Sequence, residues 1–271
     1  SGVPWYLALI PAAGGLITGL IVYTWAPEAE GHGTDAAIDA FHNKKGKIRP
    51  RVPLIKTITS AITIGSGGSA GREGPIAQIG AGFASYLATR LHLSDQERRI
   101  MMVAGMGGGI GSIFRAPLGG ALFATEVLYS EADFEYEAII PAIISSIVGY
   151  SVFSSIVGWG ALFTTPEFSF QNPLELFFYF LLAIFCSGLG YIYVKVFYGL
   201  RDSFFSRLPI PKHFRPALGG LMIGCLALVY PQVLGSGYGW VQLAIYGKMA
   251  IGLMLILAFA KILATSFTIS S

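Results

Sequence analysis

Apolar stretches recur along this chain at residues 3–26, 52–71, 74–91, 100–113, 116–129, 138–163, 173–200, 214–231 and 249–269. That recurrence constrains the fold more than any other feature. Crossing about 30 Å of hydrocarbon takes roughly 20 helical residues, and only some of these stretches reach that length. The others are short and broken by Gly and Pro, above all between residues 64 and 128. Hydrophobic residues make up 54% of the chain and charged residues 12%, about half the charged share of a soluble domain. A soluble core this large would still need a charged surface to cover it. The solvent is therefore mostly lipid, and the expectation is an all-α integral membrane protein. Strands alternating between lipid and lumen would not be so continuously apolar.

Charge distribution gives the orientation. Residues 1–43 and 116–194 contain no Lys or Arg, and the basic residues gather at 44–51, 90–99 and 195–215. Loops rich in Lys and Arg are cytoplasmic, so these three clusters are expected on one side of a cell membrane that the chain crosses several times. Nothing beyond charge points to nucleic acid. No low-complexity linker divides residues 1–271, which read as a single transmembrane domain. Cys186 and Cys225 lie inside apolar runs and read as buried free thiols.

Irregular backbone at membrane depth survives only where protein buries it or a polar cavity receives it, so broken, glycine-rich helix ends are where a ligand site belongs. The run Gly71-Arg72-Glu73-Gly74-Pro75-Ile76 predicts a helix beginning near Gly74 with Pro75 at its first position. Its open N–H groups and the positive end of its dipole would attract an anion. Glu73 would stand at the mouth of that site as a tethered anion, and its protonation would free the site. A carboxylate that merely caps the helix is the competing reading.

These residues match the G-[KR]-E-G-P motif of the CLC family of chloride channels and chloride–proton antiporters, and Gln78-Ile79-Gly80 continues the match. Further segments match at the family's order. Ala26-Pro27-Glu28-Ala29-Glu30-Gly31-His32-Gly33-Thr34-Asp35 resembles A-P-E-x-x-G-S-G-I-P, with His32 in place of the anion-binding serine and Thr34 and Asp35 in place of Ile and Pro. The glycine-rich run from Ala104 through Arg115, Ala116 and Pro117 to Phe123 resembles a close-packing helix and the F-x-A-P motif after it. Thr125-Glu126-Val127 resembles the end of that region, and Val127 occupies the internal proton acceptor's position in antiporters. Gly235-Ser236-Gly237-Tyr238 is similar to a G-x-G-[FY] turn and reads as a plain helix start.

The resemblance implies a multi-helix bundle of short, tilted and broken helices in inverted halves. This chain would be incomplete at both ends: it would hold the first half of the repeat and the start of the second, with the missing C-terminal part of the pore supplying the remaining anion ligands. It implies chloride or a similar small anion as the ligand, no other cofactor, a homodimer in the bilayer, and Glu73 as the gating, proton-linked residue. The implied anion-binding set is His32, Gly33, Thr34, Arg72, Gly74, Pro75 and Ile76. Because Val127 carries no proton, the expectation is a passive, voltage-gated type of channel, with proton antiport as the alternative. Asp35 is expected to be an ordinary first-turn acid, Glu126 structural, and Arg115 a paired structural charge. His42, His92 and His213 adjoin basic loops and are expected to face solvent. No metal-ligand spacing and no nucleophile–base arrangement is present, so no enzymatic activity is expected.

Overall fold

The computed structural model describes residues 4–129, 135–167, 169, 170 and 172–271. Among the described residues the secondary structure is helical, without strands. The α-helices are α1 (Leu9–Trp25), α2 (Thr34–Asn43), α3 (Arg51–Gly65), α4 (Glu73–Arg90), α5 (Asp95–Phe114), α6 (Pro117–Glu126), α7 (Tyr136–Val157), α8 (Glu175–Gly199), α9 (Arg215–Val229), α10 (Tyr238–Ile245) and α11 (Ile251–Ser270). Among the described residues, four segments are long and apolar enough to cross a membrane: Trp5–Trp25, Tyr136–Val157, Glu175–Arg207 and Ile251–Ser270. The expected mixture of full-length and short helices is therefore present.

Two compact units are formed by interleaved parts of the chain, one from Ser1–Leu20, Ile62–Ala70 and Phe163–Ser271, the other from Ile21–Ala61 and Gly71–Leu162. In the second unit α5 is central and packs on α4, α6 and α7. Glycine makes this possible. A Cβ at Gly80 of α4 would stand 2.2 Å from the Gly105 carbonyl oxygen of α5, and one at Gly105 would stand 2.4 Å from the Gly80 carbonyl. A Cβ at Gly120 of α6 would meet the Gly111 backbone nitrogen at 2.3 Å. The glycine-rich run is thus a packing surface, as expected, where small residues let backbones touch. Around it Ala77, Ala81, Met102, Met106, Ile110 and Ala124 are buried.

At the start of α5 a capping box closes the helix: Ser94 accepts from the Glu97 amide while Glu97 accepts from Ser94. Hydrogen bonds from Arg98 and Lys45 hold the neighbouring Asp95 carboxyl below its usual range. These contacts tie two of the basic segments together. Arg115 ends α5 in the left-handed region at φ 55° and donates to the neutral Gly160 carbonyl at 3.2 Å, where a charged partner was expected.

In the first unit α11 packs on α8 and α9, and Ala227, Val233, Ala260 and Ala264 form its buried core. Glycines again bring backbones together: a Cβ at Gly220 would lie 2.1 Å from the Pro11 carbonyl oxygen. By contrast α8 buries none of its residues. Both cysteines are free and exposed, which corrects the expectation of buried thiols: they lie on apolar helix faces that the described residues of this chain leave uncovered.

Candidate functional site at the starts of two helices

The chain between α1 and α2 turns through a 3-10 segment, Pro27–Ala29, and then through Gly31 at φ 70° and Gly33 at φ 106°. Both angles lie in the left-handed region that favours glycine. Gly33 is the N-cap of α2. The second helix start, α4, has Arg72 as N-cap and Glu73 as its first residue.

The structure brings the two starts into backbone contact. A Cβ at Gly74 would stand 2.3 Å from the His32 carbonyl oxygen, and one at Gly33 would stand 2.9 Å from the Gly74 carbonyl oxygen. Gln78, only 1% exposed, reinforces the contact by donating to the Glu28 carbonyl at 2.8 Å. Two motifs separated along the sequence therefore converge, and each has glycine at the contact because a side chain would part them.

Glu73 also explains the glycine two residues before it. A Cβ at Gly71 would stand 1.8 Å from Glu73 Oε2, so the carboxylate folds back over Gly71 and lies beside the open end of α4. The dipole of the helix favours negative charge there. Glu73 and Arg72 are both partly buried.

Several expected ligands are placed differently from the sequence reading. The helix begins at Glu73, so Pro75 is its third residue. Proline is tolerated there because an amide in the first turn has no intrahelical acceptor. Pro75 has no N–H to offer an anion. Ile76 donates its N–H to the Arg72 carbonyl at 3.1 Å, the first bond of the helix, so its amide is engaged. Gly74, beside Glu73, also lies in this first turn of α4.

His32 faces its own helix. Its Nδ1 accepts from the Thr34 amide at 3.3 Å, and its Nε2 lies 3.2 Å from Asp35 Oδ2. With Nδ1 as acceptor the proton resides on Nε2 and points to the carboxylate. The ring thus caps α2 and engages the Thr34 amide, and Asp35 is the first-turn acid expected. His32→Ala is expected to destabilise the protein by about 1 kcal/mol, the worth of a helix cap. His32→Ser, which keeps a capping oxygen, should retain the wild-type melting temperature. Equal melting of all three would remove the cap.

Val127 follows α6, partly buried against the apolar cluster of the second unit, while Glu126 is exposed. His42, expected to face solvent, is exposed but anchored: Nε2 lies 2.8 Å from the Leu128 carbonyl oxygen and the ring sits edge-on to Tyr129. Gly237 at φ 82° is the N-cap of α10, the plain helix start expected. No group of His, Cys, Asp and Glu among the described residues has the arrangement of a metal site.

Comparisons with known proteins agree with this geometry. An uncharacterized protein of Methanocaldococcus jannaschii is 34% identical over 255 residues, covering 94% of this chain and 63% of the relative. The H(+)/Cl(−) exchange transporter ClcA of Vibrio parahaemolyticus is 30% identical over 279 residues, covering 98% of this chain and 58% of the relative. This chain thus spans about three fifths of the length of these two relatives. Among solved structures, a slow cyanobacterial Cl−/H+ antiporter superposes with a TM-score of 0.85 at 23% identity, over 98% of this chain and 63% of that one, which shows a shared fold. The sequence model described as "Voltage gated chloride channel" matches residues 14–271, and with the two converging helix starts and the glycine-packed helices already described, the chain belongs to the voltage-gated chloride channel family.

Proposed function

We propose that this chain forms part of a membrane transporter that exchanges chloride, or a similar small anion, for protons, with Glu73 as the gating and proton-carrying carboxylate. The observation that carries the reading is the position of Glu73. It is the first residue of α4, its carboxylate lies over Gly71, and α2 begins in backbone contact with Gly74. A mobile anion and the Glu73 carboxylate would compete for the same helix end, and protonation would decide the competition. Gly33, Gly74 and Arg72 are the groups proposed to meet the anion. His32 and Thr34 would join them only if the cap opened.

Support for exchange comes from the ClcA relative, whose name describes an H(+)/Cl(−) exchange transporter. Val127 favours passive conduction instead, because it leaves an apolar side chain where a proton acceptor would stand. Vesicles reconstituted with the protein and given a chloride gradient separate the two. Uphill proton movement in fixed ratio to chloride is the expected result; chloride flux that leaves protons at equilibrium would establish the passive channel.

A further inference from the structure

The turn between α1 and α2 poses a problem that the helices do not solve. Its carbonyls lie in irregular backbone, and such groups at membrane depth need a donor. Lys56 of α3 supplies one. Only 3% exposed, its ammonium donates to the Ala29 carbonyl at 2.9 Å and to the Gly31 carbonyl at 2.6 Å. These oxygens sit two and four residues after Pro27.

The same device occurs again in the other unit. There the chain leaves α9 through the 3-10 segment Pro231–Val233 and turns through Gly235 at φ 63° and Gly237 at φ 82°. Lys261 of α11 donates to the Val233 carbonyl at 2.9 Å and to the Gly235 carbonyl at 2.6 Å. These oxygens also sit two and four residues after a proline. Even the residues before the prolines agree, with φ −149°, ψ 76° at Ala26 and φ −128°, ψ 79° at Tyr230. The side chains differ, including the residue between the glycines, His32 in one and Ser236 in the other. The lysine and its two carbonyls persist while the intervening side chain changes, so the device sets backbone geometry and does not serve one particular side chain.

We propose that Lys56 is a positioning residue that clamps the Gly31–Gly33 turn and thereby fixes where α2 begins, and that Lys261 clamps the Gly235–Gly237 turn before α10 in the same way. Glycine torsions are soft, so a turn built on two of them holds its shape only through bonds to its carbonyls. Because the His32 carbonyl touches Gly74, the clamp at Lys56 sets the distance between the starts of α2 and α4. Its consequence for anion binding rests on the reading under Proposed function.

The test compares Lys56→Met, Lys56→Gln and Lys261→Met with the unaltered protein, by amide hydrogen exchange in lipid nanodiscs and by chloride flux in reconstituted vesicles. Lys56→Met should speed exchange over residues 29–36 by about tenfold or more, leave residues 233–240 unchanged, and raise the half-saturating chloride concentration. Lys261→Met should speed exchange over residues 233–240 alone. Where Lys56→Met fails to fold, Lys56→Gln, which keeps an amide donor, decides: faster exchange confined to 29–36 supports the clamp. Unchanged exchange over 29–36 in the Lys56 variant that folds overturns it. Faster exchange with unaltered chloride dependence would uphold the clamp and instead refute the anion site at these helix starts.

Discussion

In vesicles carrying Glu73→Gln, proton movement should fall to the background of protein-free vesicles, and chloride flux should lose its dependence on pH. The side chain keeps its size but cannot ionise, so the open end of α4 no longer holds a tethered negative charge at any pH. Where the wild-type flux is expected to differ by about tenfold or more between the protonated and the ionised carboxylate, the variant should give one flux throughout. Glu73→Asp separates charge from reach: it retains the ionisable group but shortens the arm, so coupling should weaken and persist. A Glu73→Gln protein with the wild-type pH response would remove Glu73 from the transport step.

The second large effect concerns the fold. Gly80→Val is expected to cost about 3 kcal/mol or more, at the upper end for overpacking. Its branched side chain would meet the Gly105 carbonyl oxygen, and the nearest obstacle is backbone that cannot swing aside. Size-exclusion chromatography in detergent should show loss of the monodisperse peak, with a lower melting temperature for any protein that remains. Gly188→Ala in α8, where nothing lies within 4 Å of the added atom, is the control and should behave as wild type. Equal behaviour of the two variants would mean that the α4–α5 approach contributes little to stability.

Much of this architecture was legible in the chain itself. The apolar stretches became helices close to their expected bounds, and the short, glycine-broken ones fell between α3 and α6. The convergence of the two helix starts was implied only through the family resemblance, since no local pattern reports that His32 touches Gly74. Helix α4 begins within a residue of the expected Gly74, but Pro75 is its third residue and not its first. The Pro75 rule allows several first-turn positions, and the Ile76 amide is taken by an ordinary helical bond. His32 stands at the position of the anion-binding serine, but its neighbour Asp35 offers the ring a nearer acceptor. Lys56 and Lys261 were passed over, although a lone lysine inside an apolar stretch is a signal in its own right. The cysteines could not be placed because lipid and protein interior are both apolar. Hydrophobic periodicity then says little about which face a neighbour covers, and α8, apolar yet unburied, is the clearest instance.

The uneven lengths of the helices also bear on how the chain enters a bilayer during synthesis. Segments such as Tyr136–Val157 carry enough hydropathy to partition into lipid as they emerge. The helices from α2 to α6 do not meet that criterion, and α3 carries Lys56 in its middle, a charge that is costly to leave facing hydrocarbon. The neighbours that relieve these helices differ in when they are made. Lys56 finds its carbonyl acceptors on a turn already synthesised, whereas α5 waits for α6 and α7, which follow it along the chain. The α5 helix therefore has its full set of neighbours only once α7, itself long and apolar enough to cross a membrane, has been made.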